Sequence, residues 1–220
     1  MNAFRKLSCL ALLGAFVSSS AWADDNLWVG VKAGTLGLGA EATWRPLPWF
    51  DVRGGFNTFD YDEEGSQSGI NYDATLELQT LYATANFRVP ASPFRFTAGM
   101  FSNDNELEMI SLSSASYDIG GTVYTAGEVG TLTSRTSFDS MSPYAGIGFD
   151  FGLFGKVGLN LDLGVLLQGD PKVSLAADGT LADDPAFMAA LEEERLQLEG
   201  EVDKLKAYPV LSLALNFNFL

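Results

Sequence analysis

The sequence predicts an all-β protein, a transmembrane antiparallel β-barrel of eight strands with one helix in its last long connection. Three observations predict it. After residue 23 the apolar residues fall mostly on alternate positions, no stretch there approaches the length of a spanning helix, and aromatic residues gather at one end of successive hairpins. Period two is the signature of a strand with two unlike faces, and a spanning helix needs about 20 apolar residues in a row.

Residues 1–23 stand apart from that pattern. A charged start with Arg5 and Lys6, an apolar run from Leu7 to Val17 and a small-residue exit, Ala21-Trp22-Ala23, have the form of a cleavable signal peptide, so the mature domain is expected to be 24–220. Cys9 would leave with the leader, which excludes a disulfide scaffold and leaves stability to hydrogen-bonded sheet and packing. Without Arg5 and Lys6 the chain carries 11 basic against 28 acidic residues, a net charge of −17. That balance argues against a nucleic-acid partner.

The strands follow in order at 27–35, 36–46, 49–61, 72–89, 93–110, 136–152, 157–168 and 208–220. The clearest is Val157–Gln168, where Val157, Leu159, Leu161, Leu163, Val165 and Leu167 share one face and Gly158, Asn160, Asp162, Gly164, Leu166 and Gln168 the other. The last repeats it, with Leu211, Leu213, Leu215, Phe217 and Phe219 opposite Ser212, Ala214, Asn216 and Asn218. In 72–89, Leu76 and Leu78 have the opposite parity to Leu81, Ala83, Ala85 and Phe87, so a bulge near Thr80, or emergence from the membrane there, is expected. Eight is an even count, as single-chain bacterial barrels require.

The turns near Pro46-Leu47-Pro48, Pro90-Ala91-Ser92-Pro93 and Gly152–Lys156 are tight, whereas 62–71, 111–135 and 169–207 are long and acidic. The aromatics sit at the short-turn ends: Trp44, Trp49 and Phe50; Phe87 and Phe94; Phe149, Phe151 and Phe154; Phe217 and Phe219. Short periplasmic turns, longer external loops and an interfacial aromatic girdle produce this arrangement.

With a leader, period-two strands, a one-sided girdle and the terminal Asn216-Phe217-Asn218-Phe219-Leu220, the chain resembles the small eight-stranded barrels typified by the outer-membrane protein A transmembrane domain and its relatives X and W. The resemblance implies the outer membrane of a Gram-negative cell envelope, contact with membrane lipid and lipopolysaccharide, and insertion by the barrel-assembly machinery through the C-terminal strand. Those families usually end in an aromatic residue; here Phe219 is penultimate and Leu220 last.

If the apolar parity faces lipid, the other lines the lumen and brings together Lys32, Glu41, Arg45, Asp51, Arg53, Arg88, Arg95, Asp150 and Asp162 with Tyr82 and Tyr144. An eight-stranded barrel is just wide enough for side chains to fill, and charges in that space must pair. Inward glycines, among them Gly146, Gly148 and Gly164, make room for the long side chains. A paired plug is the simpler reading and fits a structural or surface-interaction role; a narrow polar path, making the protein a porin-like passive channel for small solutes, is the alternative. The mixed charge argues against strong ion selectivity.

Barrel enzymes of the lipid A deacylase, palmitoyl-transferase and phospholipase types depend, by resemblance, on a histidine beside a serine. This chain has no histidine, so that constellation cannot form and no catalytic residue is expected. The acidic clusters Asp60, Asp62, Glu63 and Glu64, and Asp104, Glu106 and Glu108, match no calcium-loop spacing; they read as solvated surface, with no metal site or cofactor expected.

Asp184-Pro185 opens the one segment that breaks the β pattern. An N-cap acid, proline at the first helical position and Lys204 and Lys206 in the last turn predict a helix over about 184–206. Its apolar residues Met188, Leu191, Leu198, Val202 and Leu205 follow three-four spacing interrupted by Arg195, a stripe expected to rest on the barrel rim or to dock an external partner.

Overall fold

The computed structural model describes residues 26–67, 70–112 and 116–218; the expected leader, Cys9 and the Phe219-Leu220 end lie outside the described residues. In chain order the strands are β1 Leu27–Gly34, β2 Gly37–Leu47, β3 Phe50–Gln67, β4 Ile70–Arg88, β5 Phe94–Asn103, β6 Glu106–Ser111, β7 Ser116–Ile119 and β8 Thr122–Thr125. A one-turn helix α1, Ala126–Val129, precedes β9 Leu132–Ser137, β10 Met141–Gly152, β11 Val157–Leu167 and β12 Lys172–Ala177. Helix α2, Pro185–Val202, tightens into a 3₁₀ turn at Asp203–Lys206 and leads to β13, Ala207–Asn218.

Eight of these strands close on themselves. β1 to β5 pair in sequence, β5 pairs with β10, β10 with β11, β11 with β13, and β13 returns to β1 in a register running from Trp28↔Asn218 to Gly34↔Ser212. Every pairing is antiparallel, so the ring has no free edge. Its outward face is apolar, with Val31, Leu38, Leu81 and Phe96 all more than half exposed. A soluble barrel would bury such residues; an exposed band of them suits a barrel whose solvent is lipid. No helix among the described residues is long and apolar enough to cross a membrane.

At the short-turn end the aromatics meet as a girdle, with Trp49 against Phe50 and Phe87 (6.1 and 5.9 Å between ring centres) and Phe94 edge-on to Phe149 (5.5 Å). The other end is more elaborate than alternation alone predicts. The segment 93–110, read as one strand, is two: β5 ends at Asn103 and β6 starts at Glu106, and the break changes partners from β10 to β9. The long loops hold further strands, so the β3–β4 hairpin continues above the barrel as a sheet in the order β3-β4-β6-β9-β12.

The parity change in β4 has its explanation here. The β3–β4 register runs unbroken from Phe50↔Phe87 to Gln67↔Ile70, so there is no bulge. Instead β4 exchanges β5 for β6 between Thr80 and Glu77, leaving the ring. Above that point the inward Leu78, 8% exposed, carries the apolar surface.

Above the rim the β7–β8 hairpin, α1 and α2 build a separate small core. Tyr117, Ile119, Val129 and Phe187 are buried in it, flanked by Tyr124, Leu132, Ala177, Ala190 and Leu191. Helix α2 starts as its sequence signals: the Asp184 carboxylate accepts from the amides of Ala186 (2.9 Å) and Phe187 (3.0 Å). The docked stripe is rotated from the expected one. Phe187 is the anchor, edge-on to Tyr124 at 5.0 Å, while Met188 is 55% exposed and Leu205 is exposed on the 3₁₀ turn; Leu191, Leu198 and Val202 are half-buried. Arg195, which interrupts the apolar spacing, lies among that stripe, donating to Glu192 (2.8 Å), Glu199 and the Val173 carbonyl of β12.

Candidate functional site in the barrel lumen

Strand pleating sends every second residue inward, and closure of the ring then sets which inward residues meet. Lys32 on β1 stands beside Glu41 on β2, its Nζ 3.8 Å from Oε2. The Tyr82 hydroxyl of β4 donates to the same Glu41 oxygen at 2.8 Å, accepts from Lys32 Nζ at 3.2 Å, and places its ring under the ammonium at 4.5 Å. Asn216 Nδ2 on β13 donates to the other Glu41 oxygen at 3.1 Å.

From Glu41 the charges alternate through the lumen. Arg53 of β3 lies 3.6 Å from Glu41 and donates to Asp162 of β11 at 3.2 Å. Asp162 also accepts from Arg95 of β5, whose Nε donates to Asp150 of β10 at 2.9 Å. Asp150 accepts from Arg88 of β4, Arg88 donates to Asp51 of β3 at 3.1 Å, and Asp51 faces Arg45 of β2 at 3.9 Å. The nine charged residues thus form one file, cation and carboxylate by turns, beginning at Lys32 and ending at Arg45. Each carboxylate lies between two cations, which is how such charges survive away from bulk water.

Uncharged side chains complete the network. Arg53 Nε donates to Thr43 Oγ1 (3.1 Å), Asn86 Nδ2 to Asp51 (2.6 Å), and Arg95 NH1 to Asn86 Oδ1 (3.0 Å) and Thr97 Oγ1 (2.7 Å). The Asn160 amide is oriented to donate to Asp150 (3.2 Å) and to accept from Asn216 Nδ2 (2.8 Å) and Arg53 NH2 (3.0 Å). Asp51, Asn86 and Arg95 have no exposed surface.

Two glycines make this packing possible. A Cβ on Gly148 would stand 2.5 Å from Arg95 Cζ, and one on Gly164 would stand 2.4 Å from the Tyr144 hydroxyl oxygen. Tyr144 therefore lies over the small residues of β10 and β11, with its ring 5.2 Å from that of Phe101.

Toward the long-loop end the lumen changes character. Leu36, Tyr82, Phe101, Tyr144, Leu166 and Val210 form a buried apolar layer across the barrel. Above it, Gln168 Oε1 accepts from the Asn103 and Asn105 amides, both at 3.2 Å, and Gln168 Nε2 donates to the Leu205 carbonyl at 3.3 Å. Where the ion-pair file meets the apolar layer, Lys32, Arg53, Asp162, Tyr82, Phe101 and Val210 are among the residues around a void of about 20 Å3.

All eleven expected lumen residues are therefore in one interior, ten in or bonded to the file and Tyr144 in the apolar layer. The apolar layer and the amide group above it were missed, as were Thr43, Asn86, Thr97 and Asn216. For Thr43, Asn86 and Thr97 the signal was present, since each shares the inward parity of a charged neighbour on its own strand, whereas β13 carries no charge to mark Asn216; Trp28, inward with Lys32 on β1, was missed in the same way as the first three. The acidic residues Glu106 and Glu108 do not gather as a metal cage: both pair with Arg135, at 2.9 and 3.0 Å. That guanidinium is held above its ordinary pKa by the two carboxylates.

Fold and interior together define a class, the small closed eight-stranded barrel with an apolar exterior and an ion-paired core. Within it the chain is similar to two solved structures from Acinetobacter baumannii. CarO2 has a TM-score of 0.62 and 23% identity, and CarO a TM-score of 0.58 and 20% identity; each likeness covers 88% of this chain and 98% of the other. No family model and no curated protein sequence matches the chain. At that identity the likeness establishes the fold, which is the one the resemblance to small eight-stranded barrels implied.

Proposed function

We propose that this is an integral outer-membrane protein with a structural or surface-interaction role and a plugged lumen, its short turns in the periplasm and its long loops outside. The observation that carries the reading is the stacking of three seals, the ion-pair file, the apolar layer and the Asn103-Asn105-Gln168 group. Where the first two meet, the void of about 20 Å3 has room for about one water. A plug of this kind frees the barrel to serve as a rigid stand for the ordered structure above it, which has its own core and an acidic surface. Membrane lipid, lipopolysaccharide and, during insertion, the barrel-assembly machinery are the partners this role requires. Neither catalysis nor a cofactor is part of it.

Planar-bilayer recording tests the proposal. The purified protein is expected to give no reproducible conductance steps, while deletion of the β7–β8 region or of α2 removes binding to cell-surface ligands with the barrel still folded. Reproducible unitary steps from the unmodified protein would replace this reading with that of a passive channel for small solutes.

A further inference from the structure

The alternating file has an end effect. Five cations and four carboxylates leave one positive charge over, and its two terminal cations differ in their surroundings. Lys32 is enclosed by Glu41 and Tyr82. Arg45 is the terminal cation at the short-turn mouth, its contact with Asp51 is the longest in the file at 3.9 Å, and its side chain is 30% exposed.

Three further features converge on that mouth. The buried Arg45 Nε and the buried indole Nε1 of Trp28 have no hydrogen-bond acceptor among the described residues. The Arg45 guanidinium carbon lies 5.5 Å from the Trp28 ring centre, so the two donors belong to one stacked unit. Both residues line a cavity of about 110 Å3, with Thr43, Arg88, Asp150 and Asn160 among its other walls. Asp150 brings no free negative charge to it, being held by Arg88 and Arg95.

From this we propose that the short-turn mouth of the barrel is a binding site for a small oxyanion, a phosphate or carboxylate group, which accepts from Arg45 Nε and Trp28 Nε1 and neutralises the surplus charge of the file. A buried donor left without an acceptor is costly, and an anion supplies two acceptors and the missing charge at once. The volume accepts several water-sized groups, enough for a four-oxygen anion but not for a large solute. The site is independent of whether the lumen conducts.

The test is a titration of the 15N-labelled, detergent-solubilised protein, following the indole N–H resonances. Trp28→Phe assigns the Trp28 signal. Inorganic phosphate is expected to move that signal saturably while those of Trp44 and Trp49 stay in place; sodium chloride at matched ionic strength should not reproduce the shift. Acetate run in parallel separates the sources, since a response to both marks a general oxyanion site and a response to phosphate alone a phosphate site. Arg45→Gln should weaken the interaction by about tenfold or more, the loss expected for one charge-assisted hydrogen bond. If that variant does not fold, Arg45→Lys, which keeps the charge but lacks Nε, takes its place with the same expected weakening. An unmoved Trp28 signal, or equal shifts of Trp44 and Trp49, overturns the proposal. So does a Trp28 shift produced by Asp24→Asn with Asp25→Asn in the absence of added anion, because the acceptor would then come from the chain itself.

Discussion

Arg95 and Asp162 bond across a strand that belongs to neither. Arg95 is on β5 and Asp162 on β11, and the residue between them on β10, in register with both, is Gly148. The guanidinium passes over that glycine because nothing projects from it. Gly148→Ala is therefore expected to push Arg95 off Asp162 and lower unfolding stability by ~1–3 kcal/mol, the usual cost of overpacking. Urea titration of the heat-modifiable gel mobility measures it, and a stability equal to that of the parent would show that the guanidinium can bend aside freely.

Asp162 is the carboxylate shared by Arg53 and Arg95, so removing its charge strands two buried cations. Asp162→Ala is expected to cost about 3–5 kcal/mol, and Arg53→Ala a comparable amount through Glu41 and Asp162. Combining Arg53→Met with Asp162→Leu should cost less than the sum of the two single changes, because the double change removes the charges together. Strict additivity in that cycle would mean the two groups are separately solvated.

If the apolar layer is the main seal, Phe101→Ala is expected to produce conductance steps in a barrel that otherwise has none, and to cost roughly 3–5 kcal/mol as a cavity opens beside Tyr82 and Tyr144. Silent bilayers with this variant would assign the seal to the ion pairs below or the amide group above.

The core outside the ring depends on Phe187, not on the more exposed Met188. Phe187→Ala should make α2 the first site of limited proteolysis, whereas Met188→Ala should leave the digestion pattern unchanged. The pair Leu191→Glu and Leu198→Glu should also loosen α2. In all three variants the heat-modifiable mobility of the barrel should persist, since the two cores share no buried residue.

Acid should loosen the same region. Asp170 on the connection from β11 is held below its ordinary pKa by its hydrogen bond to Lys206, at 2.7 Å, and Glu192 below its own by Arg195. A carboxylate whose folded pKa is depressed stabilises above its unfolded value and loses that contribution as pH falls through the folded one. Lys206 is raised, so its share persists at neutral pH and is lost only in strong alkali. Hydrogen exchange at the end of α2 is thus expected to show constant protection from neutrality down to the carboxylate range and to lose it below. Asp170→Asn should remove part of that dependence.

Alternation along the chain determined the class of fold, the number and order of the barrel strands though not the break within 93–110, and the inward placement of Arg53, Arg95 and Asp162, because a pleated strand presents its two faces by local geometry alone. The start of α2 was equally legible, since Asp184 and Pro185 act on the amides next to them. What only the tertiary structure decided was partnership. The order of charges in the file, the passage of Arg95 over Gly148, and the meeting of Leu36, Phe101, Leu166 and Val210 from positions distant in sequence all depend on register and closure, which no local pattern encodes. The same holds above the rim: β4 keeps its alternation through Thr80, yet its apolar residues change from the outer to the inner side there, where it leaves the ring and exchanges β5 for β6.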